Sequence, residues 1–224
     1  MQHRAIPLVN DNYYHVFSRS IAGYEVFNDN ADYNRIYELI SLYSYADFSY
    51  KYSRFNKLPK QIQEEYISSV RSSKNKIVNI IAYCIMPTHI HLLLKQAKDT
   101  GISKYMGRIL NGYTRYFNIK HGRQGPLWAG RFKSAYIDND EQLLHLTRYI
   151  HLNPTSAGLV ENPEDWDCSS FSDYIGSSNK KGICETEGLF NMGSDEYRKF
   201  VMDRKGYQRQ LSIIKSHLID NYTG

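Results

Sequence analysis

Two histidines one residue apart, His89 and His91, lie in the apolar run Ile85-Met86-Pro87-Thr88-His89-Ile90-His91-Leu92-Leu93-Leu94. Such a run reads as a buried strand, on which residues i and i+2 point to the same face. Two neutral imidazoles so placed form half of a divalent metal site. The plainer alternative has one imidazole hydrogen-bonded in the core and the other in solvent, and the pattern alone does not separate the two. Further along, Tyr149 and Asn153 are four residues apart in a segment that reads as a helix, so they share a face. His145 falls one turn earlier on that face and is a candidate for proton transfer, or simply a surface histidine. A phenol beside a metal can act as a nucleophile once it is helped to lose its proton, which has a pKa of about 10 in isolation. An amide oxygen from Asn153 would leave coordination positions open for phosphate, as Lewis-acid catalysis of phosphoryl transfer requires. Tyr149 is nevertheless one of 20 tyrosines, so spacing alone does not distinguish it from a packing residue.

The elements that must position these groups follow from hydrophobic period and turn chemistry. Residues 12–18 read as a strand. An Asn/Asp-rich lead at 28–32 then supplies N-cap candidates for a helix carrying Tyr33, Ile36, Tyr37, Leu39, Ile40 and Tyr43. Residues 44–76 are less regular and read as an insertion with a short amphipathic helix near 59–71. Ile77 to Tyr83 and Cys84 to Lys95 read as a hairpin or two adjacent strands, with Pro87 at the break. The stripe Ile102, Tyr105, Met106, Ile109, Tyr113, Tyr116 and Phe117 predicts a helix over 102–120. A Gly-rich loop at 121–130 leads to a strand at 132–137. Asp138-Asn139-Asp140 then caps a helix from about Glu141 to Asn153, which Pro154 should stop. This order predicts an α+β domain with a mostly antiparallel, ferredoxin-like sheet covered by helices. The domain edge is placed near residue 175, and residues 176–224 read as a helical, basic C-terminal extension with helices near 195–203 and 207–220.

Composition narrows the class of partner. The 224 residues carry a formal charge of +5, with 20 Tyr, 9 Phe and 2 Trp. Rings interleaved with cations suit single-stranded nucleic acid, although most of these tyrosines must be packing residues. In the basic, aromatic segment 121–133, Arg123, Trp128, Arg131 and Lys133 could pair with phosphates or stack on bases. Arg19, at the end of the first strand, has the same standing; against this, Trp128 could equally plug the core and Arg131 could serve a structural ion pair. Lys199, Arg204, Lys205, Arg209 and Lys215 read as a solvated face. Three cysteines without CxxC spacing argue against a disulfide framework or thiolate zinc site, and fit a reducing cytosol. With no long apolar stretch and no signal-peptide pattern, a cytoplasmic protein is expected.

The segment Cys84 to Leu94 resembles the HUH segment (histidine, bulky apolar residue, histidine) of single-tyrosine transposases. Three further stretches resemble that family in its order: Tyr13-Tyr14-His15-Val16-Phe17-Ser18-Arg19, Gly125 to Ser134, and Arg148-Tyr149-Ile150-His151-Leu152-Asn153-Pro154, followed by Asp167-Cys168-Ser169-Ser170. The resemblance covers roughly 12–175 without 44–76, and is strongest to the REP-associated tyrosine transposases. It implies that Tyr149 is the nucleophile, that His89, His91 and Asn153 bind Mg²⁺ or Mn²⁺, and that the substrate is single-stranded or hairpin DNA. Such a transposase cleaves and rejoins the strand through a 5′-phosphotyrosine intermediate, without an external energy source. Thr88 stands where Asn is commoner in that family. The resemblance allows a monomer, or a homodimer that exchanges the tyrosine helix. Three other readings are a relaxase-like or replication-initiator nickase, which usually carries further domains or a second tyrosine, a binding module that grips single strands without cutting them, and a metal hydrolase activating water, which would form no covalent protein–DNA product. His151, on another helix face, reads as packing.

Overall fold

In a computed structural model, residues 7–178, 182–186 and 188–205 are described. Their elements are β1 (Tyr13–Arg19), α1 (Asn30–Tyr43), α2 (Tyr52–Phe55), α3 (Lys60–Ser72), β2 (Val78–Met86), β3 (His89–Gln96) and α4 (Gly101–Lys120), followed by β4 (Lys133–Ile137), α5 (Asp140–Ser156), α6 (Phe171–Tyr174) and α7 (Ser194–Met202). The four strands form an antiparallel sheet in the order β2-β3-β1-β4. This is the ferredoxin-like plan expected from the sequence.

Alternation along the strands divides the sheet into two faces. Val16, Ile90, Leu92 and Leu94 pack with Ile36, Leu39 and Ile40 of α1 and Ile102, Tyr105, Ile109 and Tyr113 of α4. Cys84, Met86 and Leu93 point the other way, against Leu143, Ile150 and Leu152 of α5, Phe171 of α6, and Tyr197 and Val201 of α7. Each such aliphatic side chain, once fully buried, contributes roughly 1.5–3 kcal/mol. The result is helices on both faces of one sheet.

Four expectations change. The apolar run at 85–94 is not one strand: Pro87 and Thr88 form a turn between β2 and β3. That turn is held from outside, because Val26 and Phe27 donate backbone N–H bonds to the Pro87 carbonyl at 2.8 and 3.2 Å, and Ser20 N–H donates to the Thr88 carbonyl at 2.8 Å. Residues 44–76 are no detached insertion, since Phe48, Phe55 and Val70 are buried in the α1/α4 core. The edge near 175 also moves outward: α7 shares its core with α5 and β2, so the described part of 176–224 is built into the domain. The helix expected near 207–220, with Arg209 and Lys215, lies outside the described residues.

Pro154 is the fourth. It lies inside α5, which runs on to Ser156 and ends before Gly158 at φ 71. A proline lacks the N–H that would serve the carbonyl four residues back. Here Asn153 Nδ2 donates to that carbonyl, Ile150 O, at 3.4 Å and to Tyr149 O at 3.1 Å. The side-chain amide stands in for the missing donor, so the helix continues.

The block 168–170 closes the outer edge of β2. Ile85 N–H donates to Cys168 O at 2.8 Å, Ser170 N–H to Tyr83 O at 3.0 Å, and Tyr83 N–H to Ser170 Oγ at 2.9 Å. This occupies β2 backbone groups that would otherwise be open to another strand.

Candidate active site

The pairing of β1 with β3 places Phe17 opposite His91 and Arg19 opposite His89. His89 and His91 emerge on the α5 side of the sheet, as the i, i+2 rule requires. Their rings stand nearly perpendicular, 86° apart, with centroids separated by 4.9 Å. His91 is 7% exposed. Burial lowers the His89 pKa to about 4, with the Arg19 charge adding to it, and holds His91 well below its ordinary value, with His15 and His89 adding smaller effects. Both imidazoles are therefore neutral at physiological pH, the form that can ligate a cation.

Each ring has one nitrogen committed to the protein. His89 Nδ1 lies 2.8 Å from Thr88 Oγ1, and His91 Nδ1 lies 2.9 Å from His15 Nε2. The two Nε2 atoms remain as donors for a metal. His15 was not among the residues the sequence singled out for chemistry. Its burial lowers its pKa to about 4, and its ring stacks on His91 at 18° with centroids 5.1 Å apart. The alternation Tyr13, His15, Phe17 could have put it on the face of β1 that carries Phe17. Only the β1–β3 register shows that this face is the one bearing His91.

Tyr149 reaches the same place from α5. Its ring meets His91 edge-on at 5.8 Å and 87°, and His15 at 6.1 Å and 77°. Burial raises its phenol above the ordinary value. Asn153 is one turn along, half-buried, with its amide nitrogen committed to α5 carbonyls and its oxygen the atom that could face a cation. Among the described residues no three His, Cys, Asp or Glu side chains gather as a metal site. Imidazole nitrogens and an amide oxygen are donor types that a divalent ion accepts, alongside phosphate or water.

Other expected site residues sit elsewhere. His145 is held on the α7 side of α5: its Nδ1 is 2.6 Å from Arg148 Nη2, its Nε2 3.7 Å from Glu141, and its ring 5.7 Å from Phe200. Trp128 is a core residue, 8% exposed, with Nε1 donating to Leu110 O at 3.2 Å, so its ring is closed to base stacking. Arg123 is folded back on its own loop, donating to Pro126 O at 3.0 Å over the Phe117 ring. Arg19, Arg131 and Lys133 are exposed and enter no ion pair among the described residues. Arg19 pairs with His89 in register and borders it, whereas Lys133 pairs with Phe17 and lies one strand further from His91.

His151 is the packing residue expected. Fully buried, it bridges Tyr197 OH at 2.7 Å and Ser170 Oγ at 2.8 Å, and burial lowers its pKa to about 3. It ties α5, α7 and the 168–170 block together behind Tyr149.

With this geometry in hand, the likeness to known proteins is specific. The model of the IS200-like transposases matches residues 48–153, a span that contains both histidines and ends at Asn153. Over that span the chain is similar to the IS200-like transposases. A Haemophilus influenzae protein assigned to the REP-associated tyrosine transposases is 29% identical over 127 residues, covering 50% of this chain and 72% of that protein. A solved REP-associated tyrosine transposase, bound there to a REP hairpin, shares the fold with a TM-score of 0.52 at 15% identity, over 87% of this chain and 96% of that one. No helix of the described residues is long and apolar enough to cross a membrane.

Proposed function

We propose that this chain is a metal-dependent transposase that cleaves and rejoins single-stranded DNA at hairpin-forming repeats through a 5′-phosphotyrosine intermediate. The observation that carries this reading is the edge-on approach of Tyr149 to His91 in the same chain, beside a second neutral imidazole. The similarity to the IS200-like transposases and the hairpin bound by the solved relative support the choice of DNA as partner.

In this scheme Tyr149 Oη attacks a backbone phosphorus. The P–O3′ bond breaks, the phenol proton is lost, and the departing oxygen leaves as a 3′-hydroxyl. The 5′-phosphate stays on the tyrosine, so its bond energy is kept for rejoining to another 3′-hydroxyl. Tyr149 is protonated at neutral pH, and burial, which raises its phenol above the ordinary value, adds to the help it needs to lose that proton. His89, His91 and Asn153 would hold Mg²⁺ or Mn²⁺, and a bound ion would stabilise charge developing on the phosphate oxygens. Arg19, exposed beside His89, and Lys133, exposed one strand further across Phe17, are suited to phosphates near the cut.

The test uses end-labelled hairpin DNA from beside the gene, with Mn²⁺, and compares wild type with Tyr149→Phe and His91→Ala. A denaturant-resistant adduct, absent in Tyr149→Phe and in EDTA, is expected. Cleavage that survives Tyr149→Phe, or binding without cleavage, would overturn the reading.

A further inference from the structure

We infer that His15 is a positioning residue for His91, fixing which nitrogen of that imidazole is offered to a cation. The inference rests on the metal reading above and extends it to a residue outside the ligand set. The contact is direct: His15 Nε2 and His91 Nδ1 are 2.9 Å apart, with the rings stacked. Only one proton can occupy that contact. For His91 to present an Nε2 lone pair to a cation, its Nδ1 must carry the hydrogen, and His15 Nε2 must then accept it. His15 in turn must keep its own proton on Nδ1.

The neighbouring ring is arranged alike. Thr88 Oγ1 lies 2.8 Å from His89 Nδ1 and can accept its hydrogen, again leaving Nε2 outward. One imidazole is thus oriented by a hydroxyl one residue before it and the other by an imidazole from the adjacent strand. His15 cannot serve as a third ligand through Nε2 while that atom is hydrogen-bonded to His91. It is fixed by the backbone as well, because β1 is paired on both sides, to β3 and to β4. Partners of this kind fix tautomer and ring angle, and losing one typically weakens metal binding by about 10–100-fold.

The experiment measures Mn²⁺ binding to the full-length protein without DNA, by electron paramagnetic resonance of the free ion, in wild type, His15→Gln, His15→Asn and His15→Phe. Melting in EDTA reports the fold of each. A glutamine carries its oxygen near the place of Nε2 and should bind Mn²⁺ within about threefold of wild type. Asparagine is too short to reach His91, and phenylalanine has no acceptor, so both should bind about 10–100-fold more weakly. If the phenylalanine variant misfolds, the comparison of glutamine with asparagine carries the test. Asparagine or phenylalanine variants that fold and bind like wild type would overturn the assignment, as would a folded glutamine variant as weak as asparagine. Wild type that fails to bind Mn²⁺ would instead overturn the metal reading itself, and this inference with it.

Discussion

Tyr149 and His91 meet within one chain, ring edge to ring face, with centroids 5.8 Å apart. The helix that carries the tyrosine packs on the strand that carries the imidazole, through Ile150 and Leu152 against Leu93 and Cys84. Within the single chain, α5 brings the tyrosine to the histidines of the same chain.

It follows that two inactive variants should not rescue each other. Mixing Tyr149→Phe with His91→Ala is expected to give no cleavage above the sum of the separate proteins, because neither chain then holds both groups. Restored adduct formation in the mixture would show that α5 is exchanged in solution.

The hydrogen bonds of Asn153 and its proposed role as a ligand respond oppositely to a carboxylate. In Asn153→Asp the donors to Tyr149 O and Ile150 O are lost and negative charge is set in the last turns of α5. The metal-free protein should lose about 1–2 kcal/mol in urea unfolding. Mn²⁺ affinity should rise, by about tenfold, since an anionic oxygen replaces a neutral one. A variant weakened in both respects would remove Asn153 from the ligand set.

Lys133→Ala and Arg19→Ala should leave the melting temperature unchanged, as both side chains are exposed and unpaired among the described residues. Each should lower the slope of log affinity against log salt for single-stranded DNA by about 0.7, the effect of one lost phosphate contact. An unchanged slope would place the strand elsewhere.

Trp128 should behave as a core residue. Trp128→Ala is expected to cost about 3–5 kcal/mol of stability. Trp128→Phe should bind DNA within about twofold of wild type, measured by anisotropy below its melting point. A large loss of affinity in a stably folded Trp128→Phe would mean that the ring reaches the substrate.

Acid should unfold this protein through its buried neutral histidines. The His151 pKa falls from 6.5 to about 3 on folding, so its contribution is fully present above pH 6.5 and is lost as the pH drops from there toward 3. Between pH 7 and pH 5 that loss is about 2 kcal/mol. His15 and His89, at about 4, act in the same direction. His151→Gln should therefore narrow its stability deficit relative to wild type by about 2 kcal/mol when urea unfolding is repeated at pH 5. An unchanged gap would mean that His151 titrates normally.

The sequence showed the two imidazoles, the tyrosine and the α+β order because each is written in local period: two for a strand, four for one turn of a helix. What it could not show depends on which strands are neighbours. His15 looks like any polar residue on an alternating strand until β1 lies beside β3. Trp128 sits in a stretch whose Gly, Arg and Lys content suggests an open loop, yet its ring fills the space under α4. Pro154 marks a helix end by the usual rule, and only the Asn153 side chain explains why the helix passes through it. His145 was placed beside Tyr149 by counting four residues, but counting does not show the Arg148, Glu141 and Phe200 contacts that hold its ring.

The fastened turn at Pro87 and Thr88 sets a limit on how this hairpin can change over generations. Because strand faces alternate at every residue, gaining or losing one residue between Met86 and His89 would deliver Ile90 and Leu92 to the site, and both imidazoles to the core beneath α1 and α4. Side chains here can be replaced one at a time, each with a graded effect. Length cannot vary in that way: a single codon inserted or deleted would remove the chemistry and poison the core in one step.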